Sequence, residues 1–297
     1  MLRAIQSMIS LEGLVIILLL GALTLYVRFI RARVKARDAA ATLRKDEGMT
    51  DTELERYARH IVLREIGGQG QNRLRSAKVL VIGAGGLGAP VLSYLAAAGV
   101  GTIGIIDEDE VSLSNLQRQV IYDENHLDIP KVFAAEKVLN AQNPFVKIQP
   151  YHRKFTGEIA DDLIADFDVV IDTSDSFETR ELANAACVKQ QKPMVFGAIA
   201  QWEGQVSVFD AREGGCFTCL FPKEPDAGLA PSCADAGVVG ALPGVIGSMM
   251  AVEAIKLIAK TGNPLYGMLM IYDALYAENR TMNYKKRKSC PVCGKLK

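Results

Sequence analysis

The sequence predicts an α/β chain: a doubly wound, mixed sheet, an antiparallel C-terminal extension, and one transmembrane helix at the N-terminus. Three observations carry this prediction. Strand formers at residues 79–82 break into Gly83-Ala84-Gly85-Gly86-Leu87-Gly88, and a helical pattern (Val91, Leu92, Leu95) comes directly after. Strand, glycine turn and helix in that order are the start of a Rossmann-like sheet. Further strands and helices then alternate, which implies parallel strands joined by crossover helices. Ahead of them, residues 13–27 (GLVIILLLGALTLYV) carry no charge.

That apolar run, lengthened by Met8-Ile9 and Phe29-Ile30, reaches on the order of 20 residues, enough to cross a hydrocarbon core. A cleavable signal peptide needs positive charge before the run, and here the order is inverted. Only Arg3 precedes it, while Arg28, Arg31, Arg33, Lys35 and Arg37 come after. The same Arg-rich continuation argues against a buried soluble helix. We therefore expect a single-pass membrane anchor over residues 8–30 and a charged connector over 31–48. The remaining domain, residues 49–297, is expected on the cytoplasmic side, where the positive residues belong.

Thr50 and Glu53 form a capping box that predicts a helix to about Ile66, carrying Arg59. The strand at residues 102–106 ends on Asp107, nineteen residues after Gly88 and at the usual distance for an acid that takes ribose hydroxyls. The segment past Asp107 is less ordinary. Ser112-Leu113-Ser114-Asn115-Leu116-Gln117-Arg118-Gln119 offers an amide and a guanidinium, and Asp128-Ile129-Pro130-Lys131 starts a helix that delivers an ammonium. Arginine is the planar fork suited to phosphate oxygens. Arg118, Lys131 and the helix dipole together supply more positive charge than a dinucleotide pyrophosphate needs, and suit a triphosphate. An NAD-dependent oxidoreductase would explain the glycines and Asp107 but leave the two cations without work.

The remaining pattern places strands at residues 146–148, 168–171 and 193–198, and helices at 130–141 and 177–191. After Gln201 the alternation changes, with strands at 205–210 and 268–272 suggesting the antiparallel extension. Residues 243–259 form an apolar helix with small residues, shorter than 18 and bearing Glu253 and Lys256. It is expected to be buried or at a subunit interface rather than a second span. Lys285-Lys286-Arg287-Lys288 reads as a solvated strand edge.

Lysine plus arginine balance aspartate plus glutamate at 34 each, but the first 48 residues hold eight basic against four acidic residues, leaving Thr50 onward about four charges negative. That sign counts against a nucleic-acid binder. Cys216-Phe217-Thr218-Cys219 and Cys290-Pro291-Val292-Cys293 each let two thiolates bite one zinc ion from a tight turn. A redox pair should open a helix after a strand, which Pro291-Val292-Cys293-Gly294 near the chain end does not, so we read a zinc site ahead of redox pairs or disulfides. Cys233 lies in a Gly/Pro/Ala-rich loop and is a candidate nucleophile; Cys187, in an apolar helical pattern, reads as a small buried hydrophobe.

The ordered motifs from Thr50 onward resemble the ThiF/MoeB/HesA adenylyltransferases, bacterial relatives of ubiquitin-activating enzymes. The resemblance rests on Arg56-Tyr57-Ala58-Arg59-His60, the glycine turn, Asp107, the segment 112–119, Pro130-Lys131 and Val169-Val170-Ile171-Asp172-Thr173-Ser174-Asp175. His60 stands where the family has Gln. The resemblance implies an ATP site with Gly85 and Gly86 at the phosphate turn, Asp107 on the ribose, and Asn115, Arg118 and Lys131 on the phosphates. It implies Mg²⁺ at Asp175, and Arg59 reaching a partner subunit's ATP in a homodimer. Zinc at matching cysteines is common in the family; the Cys233 position lies on a crossover loop, forming a thioester or acyl persulfide in some members and being dispensable in others. The implied reaction is adenylylation of the C-terminal Gly-Gly carboxylate of a ubiquitin-like sulfur carrier, serving molybdopterin or thiamine biosynthesis. A tRNA-modifying dehydratase shares the fold, but the cysteine quartet and acidic domain count against it. A membrane anchor is not part of the family pattern.

Overall fold

The structure, a computed structural model, describes residues 48–224 and 237–296, together with Gly21. Apart from Gly21, the expected transmembrane segment lies outside the described residues, and so does Cys233. The chain from Asp51 onward forms one unit.

Two helices lead into the sheet. The first, α1 (Asp51–Ile61), carries Glu53 and Tyr57 on its buried face. It ends five residues before the expected Ile66, because a turn over residues 62–66 intervenes and Gly67 adopts φ +58 at the start of α2 (Gly67–Ser76). Glycines are poor helix interiors and mark the break between the two.

The parallel half of the sheet is built of alternating units: β1 (Lys78–Ile82), α3 (Gly88–Ala97), β2 (Thr102–Asp107), α4 (Lys131–Gln142), β3 (Lys147–His152), α5 (Gly157–Ala165), β4 (Val169–Asp172), α6 (Phe177–Gln190) and β5 (Met194–Ala200). The antiparallel half adds β6 (Glu203–Phe209), the short α7 (Phe217–Leu220), α8 (Leu242–Ala259), β7 (Met268–Asp273) and β8 (Glu278–Asn283). The eight strands lie in the order β3-β2-β1-β4-β5-β6-β7-β8, parallel from β3 to β5 and antiparallel beyond. The chain turns from one mode to the other at Gln201, whose φ of +49 closes the β5–β6 hairpin.

Period-two alternation splits each central strand between two cores. Val79, Val81, Ile103, Ile105 and Ile171 pack against α3, α4 and α8, while Leu80, Ile82, Ile106, Val170 and Phe196 pack against α5, α6 and the aromatic group around Phe217. Helix α8 is the one helix among the described residues long and apolar enough to cross a membrane, with mean hydropathy 1.6 over 18 residues. It is instead a core element: Ile246, Met250 and Ala254 are fully buried, and Met250 occupies the space that a side chain on Gly197 would need.

The basic run departs from the solvated edge expected of it. Lys286 donates to the carbonyls of Ala211 (2.9 Å) and Leu296 (3.0 Å), and Arg287 Nη2 donates to the carbonyl of Thr218 at 2.6 Å. Two of its four cations therefore fasten the cysteine-bearing loops. Strand β8 itself was not legible in advance, since Glu278–Asn283 is exposed along its whole length and shows no apolar alternation.

Candidate active site

In chain order β1 and β2 run towards one edge of the sheet and β4 starts the other half, so a crevice opens at their C-terminal ends. The glycine turn fills it. Gly83 adopts φ +97, a conformation L side chains avoid. A Cβ on Gly88 would stand 2.3 Å from the Gly83 carbonyl oxygen, so only glycine lets α3 start against the strand. The Thr173 hydroxyl, just past β4, lies 2.8 Å from the Ile82 carbonyl and 2.7 Å from that of Gly83, and its single proton serves one or the other.

Asp107 closes the end of β2. Its carboxylate accepts from the N–H of Ala84 at 2.7 Å and from that of Asp109 at 2.8 Å. Burial pushes its carboxyl up, against the Lys131 charge and these two donors, which favour the ionised form. Tyr122 donates to the Ala84 carbonyl at 2.9 Å, and burial pushes its phenol up, keeping it a neutral donor.

The polar segment after β2 wraps beside the turn. Asn115 ends a short 3₁₀ turn and accepts from the Ser112 N–H at 3.3 Å. Arg118 folds back, with Nη1 donating to the Ser114 carbonyl at 2.9 Å, and its stem lies beside Gly86. Lys131 opens α4, is only 5% exposed, and donates to Asp109 Oδ2 at 2.7 Å. Pro243, in the first turn of α8, also packs against Gly86. Of the expected residues, Arg118 thus lies against Gly86, Asp107 bonds the glycine turn at Ala84, and Lys131 reaches Asp109, two residues past Asp107; Asn115 bonds only within its own turn among the described residues.

Asp175 is exposed on the loop leaving β4 at the same end of the sheet. That loop is held firmly. Asp172 Oδ1 accepts from both the N–H (3.0 Å) and the hydroxyl (2.6 Å) of Ser174, while Arg180 Nη2 donates to the Ser174 carbonyl at 2.8 Å. Burial pushes the Asp172 carboxyl up. Two residues here escaped sequence reasoning as site elements. Asp172 is fully buried, and Gln119, 3% exposed beside Gly85, carries an Oε1 without a hydrogen-bond partner among the described residues. Gln119 stands at the end of the Asn115–Arg118 stretch, and that position was the signal available.

Arg59 is not brought to this crevice. Its helix docks through Tyr57, whose ring fills the space beside Gly99 and whose hydroxyl accepts from Asn143 Nδ2 at 2.9 Å. Glu53 adds an ion pair with Arg75 at 3.1 Å. These contacts lie at the far end of α3 from the glycine turn, about 15 Å along the helix axis. Arg59 itself is exposed.

A second centre lies in the antiparallel half. Cys216, Cys219, Cys290 and Cys293 are buried, and their sulfurs lie within 4.8 Å of one another. Cys216 and Cys290 are 3.7 Å apart, and Cys219 and Cys293 3.4 Å. Four thiolates around a tetrahedral zinc stand about 3.8 Å apart along each edge. The quartet fits that ion, with the Arg287 N–H pointing at Cys219 Sγ at 3.3 Å. Cys187 is the small buried residue expected, 2% exposed on α6.

Crevice, glycine turn and basic collar define a nucleotide-binding protein of the doubly wound class. Residues 57–292 match the ThiF family, and the chain belongs to it. The sulfur carrier protein adenylyltransferase of Thermus thermophilus is 49% identical over 250 residues, covering 82% of this chain and 92% of that protein. The SAMP-activating enzyme E1 of Haloferax volcanii is 44% identical, covering 82% and 90% respectively. The adenylyltransferase and sulfurtransferase MOCS3 of Xenopus laevis is 42% identical, but this chain spans only 54% of its length. Among solved structures, E. coli MccB with ATP superposes with a TM-score of 0.70 at 21% identity, covering 82% of this chain and 75% of that one, and so shares the fold.

Proposed function

We propose that this chain is an ATP-dependent adenylyltransferase that activates the C-terminal Gly-Gly carboxylate of a ubiquitin-like sulfur carrier, for sulfur transfer in molybdopterin or thiamine biosynthesis. The observation that supports the reading is the grouping of Arg118, Asp107 and the Lys131–Asp109 pair around the glycine turn, in a chain nearly half identical to a sulfur carrier protein adenylyltransferase. The carboxylate oxygen of the carrier attacks the α-phosphorus of ATP, the bond to the bridging oxygen breaks, and pyrophosphate leaves with that oxygen. The protein positions the two reactants and balances charge developing on the phosphates.

Each residue has a part. Gly85 and Gly86 let the backbone approach the phosphates, and the N-terminus of α3 faces them. Asp107 accepts from the ribose hydroxyls. Asn115 and Arg118 donate to phosphate oxygens once Arg118 swings from the Ser114 carbonyl, and Lys131 adds a point charge. Mg²⁺, held near Asp175, would neutralise the leaving pyrophosphate. The four cysteines hold Zn²⁺ as a structural ion, since four thiolates leave no open position for catalysis.

Two parts of the reading concern assembly. Arg59 stands away from its own crevice, which supports a homodimer in which it serves the partner's ATP. Residues 8–30 anchor the chain in a membrane in a single pass, with the catalytic residues on the cytoplasmic face; the inverted charge order around them supports this. Cys233 is the candidate for a covalent acyl or persulfide intermediate. The reading is tested by exchange of labelled pyrophosphate into ATP with Mg²⁺ and a Gly-Gly-ending carrier. Exchange that requires the carrier supports it, and exchange with no carrier dependence, or none at all, removes it.

A further inference from the structure

The cation the phosphates would need is already engaged. Lys131 is almost entirely buried, and its ammonium donates to Asp109 Oδ2 at 2.7 Å, while the Asp109 side chain is 63% exposed. A short clasp holds the two side by side. The Lys131 N–H donates to the Asp109 carbonyl at 2.9 Å, Glu110 bridges Pro130, and the Val111 N–H donates to the Ile129 carbonyl at 3.0 Å. Asp107, a second acid that feels the Lys131 charge, is occupied by the N–H groups of Ala84 and Asp109.

We propose that Asp109 is the resident counter-ion of Lys131, a positioning residue that holds the ammonium in place beside the glycine turn until the triphosphate of ATP takes it over. The proposal deepens the reading above and rests on Lys131 being a phosphate ligand. A buried ammonium with no anion beside it is costly, and the carboxylate offsets that cost before nucleotide arrives. Because Asp109 faces water, it is rehydrated when the flexible lysine stem turns away, and the pair is weak enough to break. The exchange has a consequence: Asp109 competes with ATP for the same ammonium. Removing its charge should therefore tighten nucleotide binding, the opposite of what loss of a purely structural residue does.

The test is calorimetric titration of the full chain with Mg²⁺ and α,β-methylene ATP. Asp109→Asn should bind the nucleotide about threefold more tightly, the size expected of a solvent-screened pair. Asp109→Ser should match it, and Asp109→Glu should behave as the parent protein. In a Lys131→Ala background the Asp109→Asn change should have no effect, because the competition runs through that ammonium. Unchanged or weaker binding in Asp109→Asn and Asp109→Ser overturns the proposal, as does equal tightening in the Lys131→Ala background, which would mean simple repulsion of the phosphates. Weakened binding in Lys131→Ala with no gain in Asp109→Asn overturns this proposal alone. Parent affinity in Lys131→Ala would overturn the phosphate assignment as well.

Discussion

Arg118 and Lys131 show how a site residue can look different with and without its chemistry. Both side chains make a hydrogen bond inside the chain, Arg118 to a carbonyl and Lys131 to a carboxylate, and each of these partners is one that a phosphate oxygen can replace. Arg118→Ala and Lys131→Ala are each expected to lower carrier-dependent pyrophosphate exchange about 10²-fold or more, since each removes a charge that the proposed reaction sets against the phosphates of ATP. Parent rates in both variants would dissolve the site. Gly88 makes a separate point about backbone. The Gly83 carbonyl would lie 2.3 Å from its Cβ, so Gly88→Ala forces the helix off the turn. We expect a loss of about 1–3 kcal/mol by thermal or denaturant unfolding, together with weaker ATP binding.

Most elements could be read from sequence because their signals are local. The glycine turn, Asp107, Arg118 and Pro130-Lys131 point to a nucleotide site by residue type and order together with the family resemblance, and β1, β2 and β4 are short runs of branched residues. The features that escaped depend on partners distant in sequence. Strand β8 has no apolar face and exists because β7 offers its edge. The α1–α2 break needed Gly67 at positive φ, whereas the capping box only marks where a helix starts. Lys286 and Arg287 look solvated until Ala211, Leu296 and Thr218 present carbonyls to them. Asp172 is legible only once Ser174 and Arg180 converge on it. At this scale the zinc assignment is the sharpest expectation. The purified protein should hold about one zinc per chain, and Cys219→Ser or Cys293→Ser should lose both the metal and several degrees of Tm. Metal-free protein of undiminished Tm would refute it.

For the whole molecule, the apolar N-terminal segment and the exposed Arg59 make a joint expectation. Full-length protein should fractionate with membranes and resist a high-salt wash, while a chain beginning at Thr50 should be soluble, dimeric and active. Extraction by salt alone would place the segment on the membrane surface or away from it. Mixing Arg59→Ala with Arg118→Ala subunits should restore part of the activity, because one crevice of the mixed dimer then has every residue. An active monomer would end that scheme.

The cysteine quartet also sets a timetable. Cys216 and Cys219 leave the ribosome roughly seventy residues before Cys290 and Cys293. During that interval the parallel half of the sheet has its full complement of strands, while the two early thiolates wait for ligands still being made. The turn at Cys290–Cys293 is thus made only after every strand of the antiparallel half. A nascent chain stalled just short of Cys290 should remain open to thiol reagents at Cys216 and Cys219, and extension past Cys293 in the presence of zinc should close that window.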